Sequence, residues 1–285
     1  MKPIASWSFS PWLHAKGSSV WHNTVDMLAC FTASIESFNK IYGKPTLYTD
    51  TLGRNIIGQL TSNVDFVVDY DGIDNLVPPT LWAYSKVLTY QKQTEPYIHF
   101  DLDFIVHREL PFTECDIGFQ SFENIVKGNL TNIYNLGRVF NHYKLPSNFP
   151  NTRKLLDSVP SPNLGVLCMN DMKLNREYTE SAIKLVELNK DMFATEHKLH
   201  ICSVEQQTLG IVLQQYRKLR VKTLLENHMT DYPFNDYFVH FIGGWKQKKY
   251  PGVIDLQDKY YGGYKTTVCI EVARFLDNLK YTIKP

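Results

Sequence analysis

A single α/β domain, built on a mixed, mainly parallel sheet flanked by helices, is the fold class that this sequence predicts. Three observations lead there. Strand-like and helix-like segments alternate along the chain. A length of 285 residues suits one large α/β domain or two small ones, and 44% hydrophobic residues allow a sizeable core. No repeat or low-complexity segment breaks the alternation. The expected domain therefore runs over residues 1–285.

The elements follow in order. "IASWSF" is a short strand opening at Ile4. From Trp21 to Tyr42, apolar residues fall at Val25, Leu28, Phe31, Ile35, Phe38 and Ile41, which is helical spacing, and Gly43 is a good stop. "PTLYTD" reads as a second strand with Asp50 at its end, and "VDFVVDY" as a third. "PPTLWAYSKVLTYQKQ" opens with prolines and continues as a helix. "YIHF" is a fourth strand that runs into "DLD". The stretch from Gly128 to Pro162 is polar and dotted with proline, as expected of an excursion over the sheet. "NLGVLCMN" is a strand, followed by a helix from Lys173 to Asn189. "SVEQQTLGIVLQQY" is a helix with Ser203 as N-cap. "YFVHFIGG" is a last strand ending in two glycines.

Composition excludes some classes of function. With 30 basic against 29 acidic residues the formal net charge is +1, which gives no basic face for nucleic acid. The five cysteines, Cys30, Cys115, Cys168, Cys202 and Cys269, are scattered without a C-x-x-C, so neither a zinc site nor a disulfide framework is expected. "MKPIASWSFSPW" lacks the apolar core of a signal peptide. No apolar run approaches the roughly 20 residues that span a bilayer. The expectation is a cytoplasmic protein without a transmembrane segment, with peripheral membrane contact left open. Aromatics at 13% suit a large core and also a sugar-stacking surface.

A sheet of this kind binds ligands beyond the carboxyl ends of its strands. Neither G-x-G-x-x-G nor G-x-x-x-x-G-K-[ST] is present to cradle phosphates. "HFDLDFIV" offers a different device. Asp101 and Asp103 sit among Phe100, Phe104, Ile105 and Val106, and burying an unpaired carboxylate costs several kcal/mol. Side chains at i and i+2 of a strand point the same way, so both can reach one hard cation, Mn²⁺ or Mg²⁺, with a substrate diphosphate completing the shell. A second D-x-D, Asp69-Tyr70-Asp71, runs into Gly72, Asp74 and Asn75 and reads as a solvated loop.

Far downstream, "HFIGGWK" contains H-x-x-G-x-x-K: His240, Gly243 and Lys246. With the D-x-D, this resembles the GT-A-fold glycosyltransferases, and most closely retaining glycosyltransferase family eight. The resemblance covers roughly residues 1–250. It implies that His240 joins Asp101 and Asp103 on a divalent metal, and that Lys246, with Gly243, meets the donor diphosphate. It also implies donor contacts for Lys86 in "AYSKVLTYQ" and for Asn163 in "PNLGVLCMN", and places Glu205 and Gln206 of "SVEQQTLG" beside the anomeric carbon as catalytic residues. Asp50 would contact the nucleotide. A C-terminal segment, about residues 240–285, would contribute to the donor site. Two departures stand out: Gln247 and Lys248 follow Lys246 where the family often has Pro-Trp, and Glu205-Gln206-Gln207 replaces Asp-Gln-Asp.

The implied activity is metal-dependent transfer of a sugar from a nucleotide diphosphate, expected to be UDP, to a hydroxyl of a saccharide or glycolipid acceptor, with retention. Two other classes share these residue types. One is another metal-dependent nucleotide-sugar enzyme, a nucleotidyltransferase or phosphohydrolase; the first would want a glycine-rich basic segment after its first strand, where "SWSFSPWLHAKG" stands. The other is a non-catalytic nucleotide-sugar binding module.

Overall fold

The computed structural model describes residues 1–8, 24–78, 81, 83–123, 125–126, 129–130, 143–149, 161–193, 200–226 and 236–241. Its centre is a seven-stranded sheet in the order β10-β6-β9-β4-β1-β2-β3. The strands are β1 (Lys2–Trp7), β2 (Thr46–Thr49), β3 (Asp65–Val68), β4 (Tyr97–Phe100), β6 (Ile117–Phe122), β9 (Pro162–Met169) and β10 (Val221–Thr223). All neighbours pair in parallel except β9, which runs antiparallel to both β4 and β6. Outside this sheet, β5 (Phe104–Val106) pairs antiparallel with β11 (Phe238–His240), and β7 (Ile125–Val126) with β8 (Asn129–Leu130). This is the mixed, mainly parallel sheet flanked by helices that the sequence predicts.

Each face of the sheet is covered by helices. Ala5, Trp7, Phe100 and Val166 pack under α1 (Thr24–Tyr42) and α2 (Thr51–Leu60). Ile4, Tyr48, Tyr97 and Leu167 pack under α3 (Tyr84–Gln91), α4 (Met172–Leu188) and α5 (Thr208–Gln214). Alternate residues of β1 therefore face opposite helical layers, and the continuous burial of these strands follows. Local chemistry sets the helix ends. Asp50 caps α2 by accepting from Gly53 N at 2.7 Å, and Asp171 caps α4 by accepting from Lys173 N and Leu174 N. Gly43 follows α1 at φ +87°, a conformation that glycine adopts at no steric cost.

Several expectations are corrected. Ser203 is not an N-cap: helix already runs through His200–Cys202, and Ser203–Gln207 form one wider π turn leading into α5. Asp101 and Asp103 do not lie on a strand. The chain turns between β4 and β5, with Phe104 N donating to Asp101 O at 2.9 Å. Ile117–Phe122, a strand the sequence reading passed over, lies inside the sheet. Most of the 128–162 stretch, with Gly243, Lys246 and nearly all of the 240–285 segment, lies outside the described residues. Among the described residues, no helix is long and apolar enough to cross a membrane.

Candidate functional site

The carboxyl end of β4 is where the polar residues collect. The β4–β5 turn is fixed from three sides. Ser34 Oγ, from α1, donates to Phe104 O at 2.6 Å and to Asp101 O at 3.2 Å. Asp101 N donates to Gly165 O of β9, and Phe241 N to Asp103 O. Leu102, between the aspartates, is buried in the apolar layer under α1. Leu102 thus anchors the turn in the apolar layer while the carboxylates on either side of it converge with His240.

The β5–β11 pairing brings His240 to that place. His240 Nε2 stands 3.2 Å from Asp103 Oδ1. Asp101, Asp103 and His240 each offer a ligand atom within 4.8 Å of the others, and they are the only such group among the described residues. Oxygen ligands at about 2.1 Å from a Mg²⁺-sized ion stand roughly 3 Å apart when adjacent, so a small inward movement lets all three meet one ion. Two carboxylates and an imidazole suit Mn²⁺ as donors and accommodate Mg²⁺ less well.

Next to this cluster lies a buried cation. Lys86 Nζ, from α3, lies 2.9 Å from Asp101 Oδ1 and 2.5 Å from Glu205 Oε1, and it also donates to Leu164 O at 3.3 Å. On composition Lys86 reads as a surface residue, yet α3 is pressed between sheet and helices and the side chain is only 9% exposed. Burial works against its charge, but Asp101 and Glu205 outweigh it and hold the ammonium protonated. Glu205 shows the opposite balance. Burial pushes its carboxyl up to about 7, Lys86 pulls it down, and Asp101 and Glu123 push it up again. Burial likewise raises Asp101, against the pull of Lys86. With all three ionised, Asp101, Asp103 and Glu205 exceed the one positive charge of Lys86, and a divalent cation would neutralise that excess.

This gives a stability prediction for the metal-free protein. The folded Glu205 carboxyl titrates near 7, above its usual 4.5. Folding thus favours the protonated acid, and the stabilisation is complete below about 4.5 and lost as pH rises through about 7. Denaturant melts of wild type and Glu205→Gln should converge in acid and separate by a few kcal/mol towards pH 7, the variant being the more stable. Parallel curves over that range would show that Glu205 does not titrate there.

Asn163 stands at the start of β9, one residue inside the strand. Its Nδ2 donates to Glu123 Oε1 at 2.6 Å, and its Oδ1 accepts from Gly165 N. Gln206 accepts from Ser161 Oγ at 3.1 Å. Asp50 is buried in its capping role, at the carboxyl end of β2. Asp69 and Asp71 are exposed, with Lys92 and Thr51 as partners, as the solvated-loop reading expects.

Three site residues escaped the sequence reading: Gln120, Glu123 and Gly165. Gln120 belongs to the strand that was passed over, and Glu123 directly follows it. Gly165 has a sharper role. A Cβ built on it would lie 2.1 Å from His240 Cε1, so the imidazole occupies the space a side chain would need. Gly165→Ala should therefore displace His240, weaken Mn²⁺ binding at least tenfold, and cost about 1–3 kcal/mol through overpacking. Calorimetric titration and a denaturant melt measure the two effects; unchanged metal affinity would mean the ring can move without leaving the site.

No curated protein matches the sequence. Among solved structures, the galactosyltransferase LgtC, crystallised with donor and acceptor sugar analogs, is 12% identical at a TM-score of 0.43, over 96% of this chain and 95% of that one. The glycosyltransferase GlyE of Streptococcus pneumoniae is 14% identical at 0.37, over 79% and 45%. Mouse xyloside xylosyltransferase 1 is 11% identical at 0.37, over 78% and 84%. The family model that matches covers residues 1–271, nearly the whole chain, and by that match the protein belongs to DUF6734, a family of unknown function.

Proposed function

We propose that the protein is a metal-dependent glycosyltransferase that moves a sugar from a nucleotide diphosphate donor, UDP-sugar first among them, to a saccharide or glycolipid hydroxyl with retention. The observation that carries this reading is the convergence of Asp101, Asp103 and His240 beside the Lys86–Glu205 ion pair, at the carboxyl end of a mainly parallel sheet. Mn²⁺ or Mg²⁺, when bound there, would supply charge neutralisation for the departing diphosphate. The chain's own residues do the rest. Asp101, Asp103 and His240 hold the cation. Lys86 keeps Asp101 and Glu205 in place and presents positive charge to the donor. Asn163, held by Glu123, would contact the donor. Glu205 and Gln206 would face the anomeric carbon of the donor sugar. Asp50 would contact the nucleotide, and Gly243 and Lys246 the diphosphate. We place the reaction in the cytoplasm.

Glu205 is a poor nucleophile in this setting, because Lys86 engages its carboxylate and burial favours the protonated acid. Retention is better served by attack from the face the diphosphate leaves, the diphosphate oxygen taking the acceptor proton. The test is incubation with a panel of UDP-sugars, Mn²⁺ and saccharide acceptors, following UDP release, with NMR of the newly made linkage. UDP release together with a product of unchanged anomeric configuration is expected. Release without a product would mark a hydrolase, binding without release a non-catalytic module, and an inverted linkage would remove the retaining mechanism.

A further inference from the structure

The hydrogen bond on the far side of His240 specifies which nitrogen faces the aspartates. His240 Nδ1 lies 2.5 Å from Gln120 Oε1. An amide oxygen only accepts, so this contact needs the proton on Nδ1 and leaves the lone pair of the neutral ring on Nε2. Nε2 is the atom 3.2 Å from Asp103 Oδ1. A lone pair and a carboxylate oxygen at that distance repel unless a positive charge lies between them.

Gln120 has no other visible reason to be where it is. It sits in mid-strand on β6, fully buried, and its Nε2 finds no hydrogen-bond partner among the described residues. An amide buried with half its capacity unused costs about 1–3 kcal/mol. Leucine would fill similar volume in the strand without that penalty. The slot around the imidazole is built equally tightly. Gly165 supplies the space on one side and the Phe104 ring lies 5.4 Å away on another. The ring's tilt and its tautomer are thus set separately, the first by packing and the second by Gln120.

We infer that Gln120 is a positioning residue that locks His240 in the Nδ1–H tautomer, so that Nε2 is presented to a divalent cation shared with Asp101 and Asp103. The inference rests on the metal-holding reading above and adds a residue to it. Partners of this kind orient a ligating histidine and raise its basicity, and their loss typically weakens metal affinity about 10–100-fold.

Two measurements decide it. The first needs no variant of Gln120: two-bond ¹⁵N–¹H correlation spectra of the metal-free protein, with His240 assigned by comparison with His240→Ala. Protonated Nδ1 and unprotonated Nε2 are expected, at a pH where the ring is neutral. A proton on Nε2 would mean that Gln120 presents its nitrogen instead, and would overturn the inference. The second is Mn²⁺ titration of wild type, Gln120→Leu and Gln120→Glu. Gln120→Leu should bind about 10–100-fold more weakly, while Gln120→Glu, which still accepts from Nδ1, should recover most of that loss. A structural role alone would lower the stability of Gln120→Leu without this split between the two variants. Equal Mn²⁺ affinity for wild type and Gln120→Leu overturns the inference and leaves the metal site standing. Failure of the wild type to bind Mn²⁺ overturns both. Tight binding without sugar transfer overturns the proposed activity alone.

Discussion

Asp103→Asn is expected to lower sugar transfer by roughly 10²–10³-fold or more while leaving the fold intact. The substitution keeps the shape of the side chain and removes one charge from a site that already carries too many negative charges when no cation is present. The turn does not depend on it: its backbone is held by Ser34, Gly165 and Phe241, and by the Phe104 N to Asp101 O hydrogen bond. Asp101→Asn should cut activity as deeply. It also releases Lys86 from one of its two carboxylates, so it should change stability more than Asp103→Asn does. Wild type in EDTA provides the matching control and should lose activity to the same extent. Turnover at the wild-type rate by both variants in EDTA would end the metal reading.

Lys86→Met should be the most destabilising single change at the site. Methionine fills much of the same buried space with no charge at its end. Asp101 and Glu205 then face each other without the ammonium, and breaking a buried pair from one side typically costs about 3–5 kcal/mol. Part of that loss is avoidable, since Glu205 can take up a proton. Adding Glu205→Gln should therefore restore much of the stability, whereas Glu205→Gln alone should be stabilising near neutral pH. Urea midpoints of the four proteins form the double-mutant cycle. If the two substitutions add without coupling, Lys86 and Glu205 are not the pair that their 2.5 Å separation makes them.

The sequence disclosed the fold where hydrophobic periodicity met clear punctuation. The helix ending at Gly43, the strand before Asp50 and the pair YIHF and NLGVLCMN all lie where the pattern puts them. Ile117–Phe122 was harder to see. Both faces of this strand are buried, so apolar and polar residues do not alternate, and the polar members Gln120 and Ser121 weaken the apolar run. Missing it meant missing Gln120 and Glu123. The D-x-D stood out as a chemical anomaly, and its two aspartates converge with His240, but its turn depends on Ser34 and Gly165, residues distant in sequence. The π turn at Ser203–Gln207 has no local signature, and the start of that helix precedes the capping serine that the pattern suggested. Lys86 was named through resemblance alone, because nothing in its neighbours announces a buried lysine.

The antiparallel β5–β11 pair has a consequence in time. Its partners are made far apart: His240 pairs with Phe104, 136 residues before it, and closing a loop of that size costs about 4 kcal/mol of chain entropy. Ribosomes extend a chain at about 5–20 residues per second, so the aspartates emerge on the order of ten seconds before the histidine. Throughout that interval the nascent chain exposes two carboxylates with no imidazole to complete a three-ligand set. On the proposed metal-holding role, ion capture would be a late event, coupled to the docking of the last described strand. Chains stalled before residue 238 would carry the aspartates yet remain without a third protein ligand, and loading with metal would separate finished molecules from unfinished ones.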